Sequence, residues 1–379
     1  MFKIQMYQEV QSILINQSID ERLRQIANIL LLNASFIDNL GLLNGKMGIA
    51  IFFYHYSHYT KNKVFEDYAG ELIDEIYEEI NTKTPVNFAD GLTGIGWGIE
   101  YLVKNGFVQA ETDEALIEID TCIYHNSLYR PFLLESGNDL FGYGLYFLIR
   151  LGEHGTNDDN LRTLLKMQHL IYLTDDCERI LIKKKYLDFN IQSLSIDAIN
   201  SFAWFLIEMH RWGMLPYKIG KLFQALPEYF GIIFQNSNDH AGIVQLNTLI
   251  RYMIPCFIDA DLRNSYETIY NQSINRESYN ETFDEILVSH FVKTTWQDLL
   301  YDPYIPSNDN KSFRAVKAFQ VIDNEEYWNK RLDDLKKNNI GLTGLAGLGL
   351  GFLIYLMKEE LKKTNSEIKS EIFKAQFGN

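Results

Sequence analysis

The sequence predicts an all-α chain of about seven helical hairpins, and three observations predict it. A glycine-marked turn of the form G-x-x-G-φ-small, with φ a large apolar residue, occurs at Gly45-Lys46-Met47-Gly48-Ile49-Ala50, Gly91-Leu92-Thr93-Gly94-Ile95-Gly96 and Gly341-Leu342-Thr343-Gly344-Leu345-Ala346. The first two copies stand 46 residues apart, a period that fits a two-helix unit repeated around a ring or along a solenoid. In most copies an amphipathic stretch precedes the turn and a nearly uncharged one follows it.

Residues 64–80 (VFEDYAGELIDEIYEEI) space apolar side chains three and four apart among acidic ones, which predicts a half-exposed outer helix. Residues 95–103 carry one formal charge, Glu100, and predict an inner helix buried on most sides. The outer pattern returns at 111–124 ahead of Gly137 and at 325–335 ahead of Gly341. In each turn, two glycines three apart lie on one face and let a neighbour approach closely, while the leading glycine tolerates a positive φ.

Weaker copies fill the interval. Gly137-Asn138-Asp139-Leu140-Phe141-Gly142-Tyr143-Gly144 aligns with residues 91–98 at the same step, with Leu140 in place of the second glycine. A fourth inner helix is expected near Ser193, where residues 196–210 form an apolar run containing Trp204, and a fifth near Asp239-His240-Ala241-Gly242. A sixth is placed at His290 because that position bisects the interval to Gly341. Residues 176–190, with Lys183-Lys184-Lys185, fall outside the period and read as an insertion.

A repeat running from end to end makes residues 1–379 one large domain. Seven prolines and the lack of any Ser/Gly/Pro-rich run leave no linker. The formal net charge of −15 excludes nucleic acid and anionic membranes as partners. The first ten residues lack the apolar core of a secretory signal, and the three scattered cysteines suit reduced thiols; both predict a cytoplasmic protein. Residues 340–357 imitate a membrane span, with Gly347 and Gly351 in G-x-x-x-G spacing. Their opening repeats the turn at Gly91, so they are expected to form a buried inner helix.

These turns resemble those of the lanthionine synthetase C-like (LanC-like) family, whose fold is an (α/α) toroid, an alpha-alpha barrel. The likeness is carried by Gly41-Leu42-Leu43-Asn44-Gly45-Lys46-Met47-Gly48-Ile49-Ala50 and by residues 91–98 and 341–347. It implies a role in maturing a ribosomally synthesised, lantibiotic-like peptide, with the precursor peptide as partner. Family cyclases hold zinc through two cysteines and a histidine, in Cys-Tyr-Gly-like and Cys-His-Gly-like motifs. The metal activates a substrate thiolate to add to a dehydrated Ser or Thr. Here neither Tyr-Gly nor His-Gly follows Cys122, Cys177 or Cys256. Without thiolate ligands the soft-metal site is missing, so no zinc and no other cofactor is expected, and whether the chain catalyses a reaction stays open.

Candidate site residues cluster at the predicted inner-helix starts. Asp90, Asp139, Asp197 and Asp239 either cap helices or supply a general acid–base pair for a glycosidic bond. Either His240 helps cap its helix and His290 is a partly buried, hydrogen-bonded side chain, or the two histidines and Asp239 hold zinc or iron. Trp97, Tyr143 and Trp204 are core aromatics or a ligand platform. Unpaired N–H groups converging at one end would make a locally positive mouth, lined by Asp90, Trp97, Asp139, Tyr143, Asp239 and His240. A carbohydrate-active (α/α)-barrel enzyme and a noncatalytic peptide- or protein-binding module are the alternatives. No G-x-S-x-G elbow, phosphate loop or dinucleotide fingerprint is present.

Overall fold

The structure, a computed structural model, describes residues 2–129, 137–152, 161–182, 196–236, 240–274, 292, 310–330 and 340–359. Among the described residues the secondary structure is helical and no strand occurs. The chain divides into two compact units. The first comprises Met1–Leu40, Asn44–Ile80 and Asp284–Asn379, and the second Gly41–Leu43 and Asn81–Phe283.

In the first unit, α1 (Phe2–Asn33) leads through a short 3-10 turn to α2 (Lys46–Thr60) and α3 (Lys63–Glu79). α2 is apolar nearly all round and buries eleven residues, among them Phe52 and Phe53. α3 buries only the stripe Ala69, Leu72 and Ile76, each large member contributing roughly 1.5–3 kcal/mol relative to exposure. The link between them is short. Lys61 takes φ +56°, and the Asn62 side chain accepts a hydrogen bond from the Val64 N–H at 3.1 Å, capping α3.

The uncharged run near the C-terminus is a core helix at 345–359. Leu345, Leu348, Leu350, Phe352 and Leu353 in it are fully buried. A Cβ at Gly349 would stand 2.6 Å from the Phe52 ring and 3.0 Å from Ile26, so the last repeat packs against α2 and α1. Among the described residues no helix is long and apolar enough to cross a membrane.

The second unit is a two-layered array. Its inner row is α4 (Leu92–Lys104), α7 (Gly137–Leu151), α9 (Ile196–Arg211) and α11 (His240–Met253), each packed on the next. Its outer row includes α6 (Ile117–Tyr129), α8 (Leu161–Leu181), α10 (Pro216–Asn236) and α12 (Ala260–Ile274), after the single-turn α5 (Thr112–Ala115). α8, α10 and α12 pack in succession, and each packs on the inner helix before it. Six of the seven expected inner helices therefore begin near their sequence positions; the one at His290 lies outside the described residues. Residues 176–181 of the expected insertion continue α8, and 183–190 lie outside the described residues.

Glycine works differently at the two ends of an inner helix. Gly45 and Gly91 have φ of −136° and −131°, so the expected positive φ is not used there. Space is the constraint: a Cβ at Gly91 would sit 2.1 Å from the Pro85 carbonyl oxygen, and one at Gly94 2.0 Å from that of Phe88. Positive φ appears instead at Gly106, Gly152 and Gly213, just past α4, α7 and α9. After α4, Phe107 N–H bonds Leu102 O at 2.9 Å and Gly106 N–H bonds Val103 O at 3.0 Å, the paired bonds of a Schellman cap.

Candidate functional site

The turn before α4 is held by its own backbone. The N–H groups of Leu92 and Thr93 bond the carbonyls of Pro85 and Val86, at 2.8 and 3.3 Å. Forty-six residues earlier, Lys46 and Met47 bond Asn39 and Leu40 in the same way, at 2.9 and 3.3 Å. The preceding loop thus satisfies the first two donors of α2 and of α4. That corrects the expectation of a positive mouth built from unpaired N–H groups, because at these two helices the first two donors already bond loop carbonyls.

Asp90 sits at the start of α4, half-buried. Its N–H bonds Asn87 Oδ1 at 2.8 Å, and the segment Gly41–Leu43 lies over its backbone. A Cβ at Gly41 would be 2.2 Å from Asp90 Cα, and Leu43 N–H bonds Ala89 O at 2.8 Å. Leu42, fully buried, presses on Gly94. Close approach of residues 41–43 therefore closes one side of the turn.

Trp97 and Tyr143 occupy equivalent repeat positions on α4 and α7 and are both buried, at 2% and 8% exposure. Trp97 stacks on Tyr101 with ring centroids 5.2 Å apart and meets the Phe88 edge at 6.2 Å. Phe88 in turn fills the space that a Cβ at Gly142 would take, 2.1 Å away. Trp204 is also buried. Asp139, Asp197 and His240 belong to α7, α9 and α11, but their side chains lie outside the described residues, as do Asp239 and His290 entirely. Of the expected lining, the structure thus describes the side chains of Asp90, Trp97 and Tyr143.

The other end of α4 and α7 holds a charge cluster that was not read from the sequence. The Arg150 guanidinium, 1% exposed, pairs with Glu100 of α4, with Asp113 of α5 at 2.9 Å and with Asp120 of α6 at 2.6 Å. The Tyr146 hydroxyl donates to Asp120, and Lys166 Nζ donates to the Arg150 carbonyl at 3.0 Å. Burial opposes the guanidinium charge, but the bonds to Asp120 and Glu100 outweigh it and hold its pKa above the ordinary value. At Asp113, burial raises the pKa, while Lys166 and Arg150 together pull it below the usual carboxylate value. The signal available was Glu100 itself, since a charge inside an apolar helix needs a buried partner.

The three cysteines stand on three separate elements. Cys122 lies on the outer helix α6, Cys177 on the outer helix α8 and Cys256 in a 3-10 turn after α11. Cys177 is fully buried, and burial pushes its thiol pKa well up. Among the described residues no three His, Cys, Asp or Glu side chains gather where they could hold a metal ion.

Residues 4–171 match the family model of the lanthionine synthetase C-like proteins. The matched stretch spans the turns at Gly45 and Gly91, the partial copy at Gly137 and the Arg150 cluster. The turn at Gly341 lies beyond it. No curated protein matches the chain.

Proposed function

We propose, from the premise that residues 4–171 are lanthionine synthetase C-like, that the chain serves the maturation of a ribosomally synthesised peptide by binding it, and that it forms no thioether by the zinc route. The family match carries this reading. The inner-helix starts are the binding end, lined by Asp90, Asp139, Asp239 and His240. Trp97 and Tyr143, being buried, form the floor beneath them and fix the spacing of α4 and α7. With two donors of α4 already bonded to its loop, the site selects a peptide by shape and by its polar backbone rather than by negative charge.

A zinc ion bound by thiolates would lower the pKa of a substrate cysteine; the positions of Cys122, Cys177 and Cys256 do not supply that donor set. The chain's own contribution is to hold and orient the peptide for chemistry done by another enzyme. The test is mass spectrometry of the peptide fraction from the native host with and without the gene. The reading predicts that a modified peptide disappears, or accumulates as its unprocessed precursor, and that an Asp90→Ala chain restores it poorly. An unchanged peptide fraction overturns it.

A further inference from the structure

The end of α1 and the outer face of α3, both in the first unit, form a surface that the free chain leaves unsatisfied. Leu32, Phe36 and Val64 are 69%, 84% and 63% exposed. Tyr68 joins the two segments that carry them: its hydroxyl bonds Leu31 O at 3.3 Å and lies within hydrogen-bonding reach of Ser35, one residue from Phe36. Val64 lies one turn before Tyr68 on the same helix face. Exposed apolar side chains are ordinary one at a time; grouped around one contact they mark an interaction surface.

From Val64 the face continues as Asp67, Glu71, Asp74 and Glu78, spaced four, three and four apart and all exposed, so they stand in one row. Lys46 takes up the neighbouring Glu75 and Glu79, at 3.0 and 2.9 Å. Among the described residues no cation pairs with the four carboxylates of the row. Like charges four apart weaken a helix, and acidic groups in the last turn oppose its dipole; the last turn of α3 contains no basic residue. The row therefore costs stability in the isolated chain.

We propose that this face docks a basic peptide segment of another polypeptide, in helical form. Its Lys or Arg residues at three- and four-residue spacing meet Asp67, Glu71, Asp74 and Glu78, and its large apolar side chains cover Leu32, Phe36 and Val64. The charge complementarity names the partner, since anionic lipid and nucleic acid are repelled by the same carboxylates. The surface shares no residue with the inner-helix starts, so its failure would leave the functional proposal standing and the reverse also holds.

The test is fluorescence anisotropy of the full chain with two labelled synthetic helical peptides. One carries Lys at the row's spacing beside a Leu and Phe stripe, and the other carries Glu in place of each Lys. The native chain is expected to bind the Lys peptide about tenfold or more tightly than the Glu peptide. Asp67→Lys, Glu71→Lys and Asp74→Lys together reverse that order. Leu32→Ala with Phe36→Ala weakens both peptides and keeps it. The same triple reversal at the exposed Glu111, Glu114 and Glu118 leaves binding unchanged. All substitutions are on exposed side chains, and circular dichroism verifies the fold. No preference in the native chain, or equal loss from the control reversal, overturns the proposal, since the second outcome assigns binding to net charge alone.

Discussion

The Thr343 hydroxyl donates a hydrogen bond to Asn44 Oδ1 at 2.7 Å, joining the turn of the last repeat to that of the first across 299 residues. Other contacts repeat the pairing of the chain's two ends. Arg22 of α1 bonds Glu325 at 2.9 Å and lies 5.0 Å over the Trp328 ring. Thr343→Val removes the hydroxyl at nearly constant volume and is expected to lower unfolding free energy by about 1 kcal/mol. Urea denaturation reads this directly; an unchanged midpoint would show that the bond adds nothing to stability.

Glycine substitutions separate space from flexibility. A Cβ at Gly96 would meet the Tyr146 ring at 2.6 Å, and one at Gly144 the Phe205 ring at 2.4 Å. Gly96→Ala and Gly144→Ala should therefore each cost about 1–3 kcal/mol through overpacking between successive inner helices. Gly231 in α10 has nothing among the described residues within 4 Å of such a Cβ, and Gly231→Ala should gain about 0.5–1 kcal/mol. The opposite signs are checked by thermal unfolding of the three variants side by side.

Arg150→Met strands Glu100 and Asp120 in a buried site and should cost about 3–5 kcal/mol. Adding Glu100→Gln to that variant removes one uncompensated charge and should recover part of the loss. Absence of any recovery in the double-mutant cycle would mean that Glu100 and Arg150 do not stabilise one another.

Acid should weaken the first unit through His55. The residue is partly buried with Nδ1 sealed from water, and burial, with a smaller part from His58, depresses its pKa from 6.5 to about 4. Between those values the unfolded chain binds a proton that the folded chain refuses. Stability is therefore complete above about pH 6.5 and falls as pH drops toward 4, by up to about 3 kcal/mol. A His55→Gln chain should show a shallower loss between pH 7 and 4.5 in urea titrations, and identical slopes would contradict the assignment.

The period was legible because it is written in residues whose job is steric. Gly91 and Gly94 touch loop carbonyls, and the loop bonds at Lys46 and Leu92 recur at the same 46-residue step. Gly106 and Gly152 recur at that step too, an unused signal for where inner helices end. The Arg150 cluster was not legible, because its partners come from three helices and sequence does not say which carboxylate a buried guanidinium will meet. The positive mouth failed at α2 and α4 for a related reason: composition shows that helix starts have free donors, but only geometry shows that residues 39–40 and 85–86 fold back to take them.

Mass spectrometry after thiol alkylation decides whether the chain closes a thioether. The purified chain, supplied with zinc, is incubated with a synthetic peptide containing one cysteine and one dehydrated Ser or Thr, then treated with a thiol-alkylating reagent. Thioether formation adds S–H across the dehydrated residue's double bond without changing mass, so only loss of the alkylatable thiol reports it. The peptide is expected to bind and its cysteine to be alkylated in full, with and without zinc. Zinc-dependent disappearance of the thiol, faster than in a sample lacking the chain, would contradict that expectation.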